Sequence, residues 1–446
     1  MNILLAHFRV GETDGVSLEM DKWKWALEAL GHKVYYLAGS SGNCEAECIE
    51  SLHYLDPLND KIIQNAYVEL TDYSSDEQLV VAIEHRAEVI SKQVIEVIKR
   101  LNIDIIVPNN IWSLGYHLPA AIGIHRAVEQ TGIQAICHHH DFHWERDKYS
   151  APTSEKITDL LNQYFPPKHA GIQHCVINHI AQRELKSRRN IDSHVVPNVF
   201  DFHGSDWKID EYNLDLRQRF SIRDNDIIFL QATRIVARKG IELAIDHIAE
   251  IGRQKSTLLG RTLYNGKVFN TDSRLILVLA GMCEEESYQE KLTAKADKLG
   301  VELLFINEWV GHSRSEVNGE KIYSLWDIYA HADIITYPSL LEGWGNQFLE
   351  GLIAQIPMVV YRYPVYATDI EEFHFDIIDL GEQHELDDNG LAYIDHELNT
   401  KATKETIRFL LEAENRNEKM KRNYQIGENN FSYPVLSKIL NSIFSQ

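Results

Sequence analysis

Residues 333–351, DIITYPSLLEGWGNQFLEG, set how the rest of the chain is read. The β-branched run DIITYPS ends at Pro338 and Ser339, a loop with Glu342, Gly343 and Gly345 follows, and a helical pattern opens near Asn346. Strand, glycine-rich loop and helix in that order put a helix N-terminus at the carboxyl end of a strand, where open parallel sheets collect ligands. Glycine lets backbone N–H groups approach an anion, and the first helical turn adds partial positive charge, so the loop can seat a diphosphate. Glu342 would reach hydroxyls on one side of that group and Glu350, about one turn into the helix, hydroxyls on the other. A plain glycine turn between a solvated glutamate and a helix-surface glutamate is the competing reading for so short a motif.

The same punctuation repeats outward from this stretch. NILLAHF, SLEMDKWKWALEALGH and KVYYLAG read as strand, helix and strand, with Gly31 as a helix C-cap. The alternation continues through VVAIEHRAEVISKQVIEVIKRL, DIIVPNN, QAICHHHDF, HCVINHI and SHVVPNVFD. Beyond the polar segment HGSDWKIDEYNLDLRQRFSIRDND it restarts with IIFLQAT, GIELAIDHIAEI, LILVLAGM, ELLFIN, DIITYPS and MVVYRYP. The class is α/β, with two Rossmann-like doubly wound domains expected over residues 1–205 and 206–429. Polar and turn residues at 253–274 predict a surface excursion from the second. The terminal YPVLSKILNSIFSQ has helical apolar spacing through Val435, Ile439 and Ile443.

A chain of 446 residues is too long for one ordinary core and suits two domains. With 44% hydrophobic and 25% charged residues its composition is that of a soluble globular protein. A formal charge of −22 disfavours nucleic acid and anionic membrane surfaces as partners and favours a small soluble substrate. Five cysteines, an odd number, suggest thiols in a reducing compartment, and Cys44 and Cys48 of CEAEC lack a partner pair at zinc-site spacing. MNILLAHFR has no basic leader and reads as a first strand rather than a signal peptide. No apolar run approaches the roughly 18 residues of a membrane helix, so the expected location is cytoplasmic.

LQATRIVARKG, after the first strand of the second domain, sets Arg234 five residues before Lys239. A planar guanidinium and a point-charge ammonium together suit a diphosphate clamp, while Arg238 reads as a solvated neighbour. TRIVARKG, VLAG, YPSLLEGWGNQFLEG and VVPNVFD resemble the retaining glycosyltransferases of family 4, which have the GT-B architecture. The resemblance spans nearly the whole chain, most densely residues 228–365, and its strongest element is the spacing of Glu342 and Glu350. It implies two domains facing across a cleft, with the donor in the C-terminal one and the acceptor in the N-terminal one, and residues 430–446 crossing back onto the first. The clamp falls on Arg234 and Lys239, the sugar-contacting carboxylate on Glu342, and the ribose-contacting carboxylate on Glu350. Gly343, Trp344, Gly345, Asn346 and Gln347 supply the diphosphate-facing segment. The implied enzyme is a metal-independent hexosyltransferase whose only cofactor-like requirement is a nucleotide-diphosphate sugar co-substrate, with room for stimulation by Mg2+ without a protein metal site. The leaving diphosphate departs on the face by which the acceptor hydroxyl approaches, and that hydroxyl passes its proton to a phosphate oxygen.

The first domain agrees less closely. Where the family has a Gly-Gly loop this chain reads FRVGETDGVSLEM; Gly15 can still offer a backbone N–H to a donor phosphate, with Asp14 close to that anion. CHHHDFHWER matches the family at His140–Asp141, which implies that His140 supports the transferring end of the sugar rather than acting as a general base. On a strand His138 and His140 share one face and His139 takes the other; with no cysteine or carboxylate at recognised zinc spacing, no metal site is assigned. Asp141 and His143 are candidate acceptor ligands, and Arg9, Arg146 and Lys148 could pair an anionic sugar acid or sugar phosphate. HFRVGETDGVSLEMDKW and HHHDFHWERDKY resemble the branch that makes mannosylglucosyl-3-phosphoglycerate, an osmolyte precursor, which implies GDP-mannose as donor and glucosyl-3-phosphoglycerate as acceptor. The nucleobase would be read near residues 308–312. Two alternatives stand beside this one: a lipid-acceptor mannosyl- or glucosyltransferase, whose basic membrane face only RELKSRR at 183–189 could supply, and a nucleotide-sugar epimerase of the same architecture. The expected partners are the nucleotide sugar and a small-molecule sugar acceptor, without nucleic acid or membrane; a homo-oligomer is compatible.

Overall fold

The computed structural model describes residues 1–12, 14–204 and 207–445, which fall into two compact units: Met1–Val199 with the C-terminal segment from Tyr433, and Phe200–Ser432. The boundary expected at 205/206 lies outside the described residues.

The sheet of the first unit contains β1 (Asn2–Ala6), β2 (Lys33–Ala38), β3 (Glu47–Cys48), β4 (Ile105–Pro108), β5 (Gln134–His139), β6 (Ile172–Val176) and β7 (His194–Val195). Its order is β3-β2-β1-β4-β5-β6-β7, with every pair parallel. Each central strand is buried on both faces, which is why these runs read as continuously apolar. Ile3 and Leu5 of β1 pack with Met20, Trp23 and Leu27 of α1 (Gly15–Ala29), while Leu4 and Ala6 pack with Ile90 and Val94 of α2 (Asp76–Leu101). Helix α2 carries a full set of end signals. Ser75 caps it, Asp76 and Glu77 occupy the first turn, Lys99 and Arg100 the last, and Asn102 closes it in the left-handed conformation. Strand order reverses between β1 and β4, so the residues just past these two strands, His7 and Asn109, sit at a switch point.

The second unit repeats the pattern with β8 (Ile227–Gln231), β9 (Leu275–Leu279), β10 (Glu302–Phe305), β11 (Ile334–Tyr337), β12 (Met358–Val360) and β13 (Ile378–Asp379), ordered β10-β9-β8-β11-β12-β13 and parallel throughout. The functional loops lead into α3 (Ile241–Arg253) after β8 and α4 (Asn346–Ala354) after β11. The excursion at 253–274 is more than a surface feature. It buries Leu258, Leu263 and Phe269 in the second core, and the Tyr264 hydroxyl donates to Asp333 at 2.8 Å beneath the Arg416 guanidinium. Its polar residues hid these anchors because they are spaced by turns rather than by a helical or strand period.

The C-terminal helix, Tyr433–Phe444, lies on α1 and buries Leu436, Leu440 and Ile443 beside Met20, Trp23 and Leu27. Its buried stripe is offset from the expected one: Val435 and Ile439 are only partly covered. Among the described residues no helix is long and apolar enough to cross a membrane.

Candidate active site

In the second unit the loops after β8 and β9 are zipped together. Ile235 N–H donates to Met282 O at 2.9 Å and Glu284 N–H to Ile235 O at 3.1 Å. A Cβ on Gly281 would overlap the Thr233 carbonyl, so this close approach requires glycine. Arg234 stands on the ladder, half exposed and ion-paired with Glu284. A single 3-10 turn, Ala237–Lys239, and Gly240 at φ +56° then lead into α3. A Cβ on Gly240 would overlap the Pro338 carbonyl, and the N–H groups of Leu340 and Leu341 donate to Arg238 O at 2.9 and 3.3 Å.

This stitching brings Lys239 against Glu342, 103 positions away, as an ion pair with both side chains 9% exposed. Arg238 Nη1 lies 3.3 Å from the other Glu342 oxygen, so the residue read as a solvated neighbour is a second cation on that carboxylate. Burial draws the Lys239 ammonium below the ordinary lysine value, and the Glu342 charge opposes that shift.

Gly345 adopts φ +118° and ψ +64° and caps α4 without a side chain; no acidic residue occupies the first turn. The Tyr363 hydroxyl donates to Trp344 O at 2.8 Å and holds the loop from behind. Around the same loop Ser339 Oγ, Trp344 Nε1 and both polar atoms of the Gln347 amide are buried without hydrogen-bond partners among the described residues. Buried polar groups are nearly always paired, so this concentration makes the loop a candidate seat for a polar ligand. Gly343 and Asn346 belong to the same loop and helix start. One turn into α4, Glu350 accepts from the Tyr329 hydroxyl at 2.7 Å. Burial and the Glu350 charge raise the Tyr329 phenol well above its ordinary value, which keeps it a donor. After β10 a cavity of about 530 Å³ is lined by Glu286, Phe305, Asn307, Glu308 and Trp309, of which only Glu308 and Trp309 belong to the stretch 308–312 expected to read a base.

In the first unit His7 follows β1 and bonds through Nδ1 to Asn109 O at 2.8 Å; burial lowers its pKa to about 4. Asn109 and Asn110 follow β4. Asn109 Nδ2 donates to Val107 O at 3.1 Å, which fixes the amide and turns Oδ1 toward His138 Nδ1 at 3.2 Å and His140 Nε2 at 3.4 Å. Asn110, at φ +57°, accepts on Oδ1 from the N–H groups of His140 at 2.7 Å and Asp141 at 3.2 Å. Two adjacent asparagines thus set both the ring and the backbone of His140. Burial, and secondarily His7, push the His140 pKa down to about 3, so its imidazole is neutral near pH 7. The rings of His138 and His140 lie on the same side with centroids 4.1 Å apart.

The remaining acceptor-side candidates carry partners of their own. Asp141 pairs with Arg146 at 2.8 Å, and Arg9 lies 3.2 Å from Asp14 and 3.4 Å from Glu12, over the Tyr54 ring. Lys148 Nζ sits 5.5 Å from the Tyr149 ring centre, and His143 Nδ1 is buried without a partner among the described residues. At Gly15 the first-turn donors are in use: Asp14 accepts from Val16 N and Ser17 N at 3.2 Å each, and a phosphate there would have to displace that carboxylate.

Sequence reasoning missed His7, Asn109, Asn110 and Tyr329. The first three were within reach, because AHF and VPNN place polar side chains directly after two apolar strands at a switch point. Tyr329 carried no signal; its role depends on the short helix before β11 meeting α4.

Residues 213–426 match the family model of glycosyl transferases group 1. Mannosylglucosylglycerate synthase of Petrotoga mobilis is 41% identical over 441 residues, covering 98% of this chain and 100% of that protein. The protein of that name from Thermotoga maritima is 36% identical over 440 residues, covering 99% of each. Among solved structures a glycosyltransferase from Rickettsia africae superposes with a TM-score of 0.61 at 13% identity, covering 99% of this chain and 97% of that one, a likeness of fold. With two doubly wound units and these relatives along its whole length, the chain belongs to the GT-B glycosyltransferases of group 1, in the family that contains the mannosylglucosylglycerate synthases.

Proposed function

We propose that this glycosyltransferase moves a mannosyl group from GDP-mannose to glucosylglycerate with retention of configuration and without a metal ion. The observation that carries the reading is the reach of the two relatives: both extend over the first unit, where the acceptor-side residues lie, and not only over residues 213–426. The acceptor is unphosphorylated in this reading, one phosphate short of the expectation from sequence. Both relatives are named for an unphosphorylated product. Arg9 and Arg146 also spend charge on Asp14, Glu12 and Asp141, which suits a glycerate monoanion better than a phosphate dianion.

Charge stabilisation supplies the chemistry. As the bond from the anomeric carbon to the diphosphate oxygen breaks, negative charge grows on the diphosphate, and Arg234, Lys239, Arg238 and the α4 N-terminus face it. Glu342 holds Lys239 and Arg238 in place beforehand and turns its freed oxygen to a sugar hydroxyl. Glu350, fixed by Tyr329, accepts from the ribose. The acceptor oxygen bonds to the anomeric carbon on the face the diphosphate leaves, and its proton passes to a diphosphate oxygen. A neutral His140 with a pKa of about 3 is too weak a base to take that proton, so it serves as a dipole beside the transferring sugar. The basic segment of the lipid alternative has part of its charge engaged: Arg188 pairs with Glu184, Lys186 with Asp192, and Arg189 donates to carbonyls of Asn162 and Pro166.

The test is incubation with GDP-mannose and either glucosylglycerate or glucosyl-3-phosphoglycerate, with mass and anomeric carbon–proton coupling read on the product. An α-mannosyl product from the unphosphorylated acceptor alone is expected. A β-linked product, a preference for the phosphorylated acceptor, or conversion of the sugar nucleotide without any acceptor would each overturn the corresponding part of the proposal.

A further inference from the structure

The face of β5 opposite His140 carries a second cluster that the glycosyl transfer does not use. Side chains alternate along a strand, so Cys137 and His139 share that face, and the parallel register sets His174 of β6 directly beside Cys137. All three are sealed from solvent, with Cys137 and His139 0% and His174 4% exposed. Nε2 of His139 lies 3.0 Å from Nδ1 of His174, and the thiol sulfur and one nitrogen of each ring fall within 4.8 Å of one another. A hydrogen bond between the two rings accounts for the 3.0 Å distance. Nδ1 of His139, the other nitrogen of that ring, is buried with no partner among the described residues whether a proton or an ion sits between the two rings.

We propose that Cys137, His139 and His174 bind one zinc-type divalent ion that ties β5 to β6. One thiolate and two imidazoles are three of the four ligands of a tetrahedral zinc, the fourth position falling to a water molecule, and the absence of carboxylate ligands in the trio disfavours calcium or magnesium. With zinc–nitrogen bonds of about 2.0–2.1 Å, two nitrogens on a tetrahedral ion stand about 3.3 Å apart, close to the spacing already present. The thiol must lose a proton on binding, and the charge of the ion favours the thiolate. The ion would be structural. It would anchor β5, the strand immediately before His140 and Asp141, to β6, and it would enter before the sheet is covered.

The decisive experiment is metal analysis of the full chain and of Cys137→Ser and His174→Gln, each produced with zinc in the medium, passed through a chelating buffer and checked for folding by circular dichroism. About one zinc per chain in the wild type and less than about a tenth of that in either folded variant is expected. Refolding with Co2+ should give a thiolate-to-cobalt charge-transfer band in the wild type that Cys137→Ser lacks. If Cys137→Ser does not fold, the Cys44→Ser/Cys48→Ser/Cys175→Ala/Cys283→Ser protein, in which Cys137 is the one thiol left, must retain the band. Zinc well below stoichiometry in the wild type, equal zinc in wild type and variants, or no charge-transfer band after refolding overturns the proposal.

Discussion

Replacing Gly345 with alanine isolates the backbone geometry on which the phosphate-facing loop depends. At φ +118° and ψ +64° an L-residue is strained by about 1–3 kcal/mol. The added methyl would overlap the Tyr363 hydroxyl and lie 2.7 Å from that of Tyr337; both rings are buried and have no solvent to swing into. Moving the Tyr363 hydroxyl forfeits its 2.8 Å bond to Trp344 O, a further loss of about 1 kcal/mol. The sum is about 2–4 kcal/mol, which the molecule can meet by unfolding more readily or by displacing the loop. Displacement at the lower figure weakens nucleoside-diphosphate binding by about 30-fold. Urea unfolding and calorimetric titration with GDP, run together, divide the strain between the two routes. Because Tyr363→Phe removes the overlapped oxygen, the Gly345→Ala/Tyr363→Phe protein should be less destabilised than the two single changes added, by about 1 kcal/mol. Wild-type stability and GDP affinity in Gly345→Ala, or strict additivity in the pair, would refute the steric reasoning.

Three other outcomes follow from the geometry. Lys239→Ala should lower kcat by about 10²-fold or more while the protein stays folded, the loss of one charge-stabilising donor being worth about 2.7–4 kcal/mol; normal turnover in a folded variant contradicts the assignment. Asn109→Ala removes the shared acceptor of His138 and His140, whose bonds at 3.2 and 3.4 Å are long, so kcat should fall about tenfold with the donor KM unchanged. Acid should destabilise the first unit. His7, His117 and His143 are lowered by burial from 6.5 to about 4, so their contribution is fully present above pH 6.5 and is lost as pH falls toward 4. At pH 5 each has given up about 2 kcal/mol, about 6 in total, offset in part by Glu19 and Glu145, whose buried carboxyls have raised pKa values. A urea midpoint that holds steady or rises between pH 7.5 and 5 would show the imidazoles to be more solvated than this.

The parts of the fold that were legible in sequence are those written in short-range periodicity. The central strand runs, such as NILLAHF, DIIVPNN, IIFLQAT and DIITYPS, were recognisable because each is buried on two faces and needs no long-range information to be read. Lys239 and Glu342 were legible as individual residues, but their meeting depends on the Gly240–Pro338 approach, which no local window contains. Arg238 was misjudged for the same reason. The expected use of Gly15 placed Asp14 close to the anion but did not make it the cap; in the fold Asp14 takes those donors first. Cys137, His139 and His174 were hidden by strand register, since the third member of the trio comes from a neighbouring strand at a spacing that no linear motif encodes.

The helix that lies on α1 ties the order of synthesis to the order of folding. Trp23 and Leu27, on α1, are covered by Leu440 and Phe444, which are made only after the whole of the second unit. While residues 200–432 emerge at roughly 5–20 per second, that apolar face waits on the order of tens of seconds without its cover. The N-terminal unit is therefore the one that finishes last, and the second unit can be fully packed before the first has closed its core. Removal of Tyr433–Phe444 would expose the same face permanently, so that truncation should show itself as aggregation of the first unit rather than as a defect in the second.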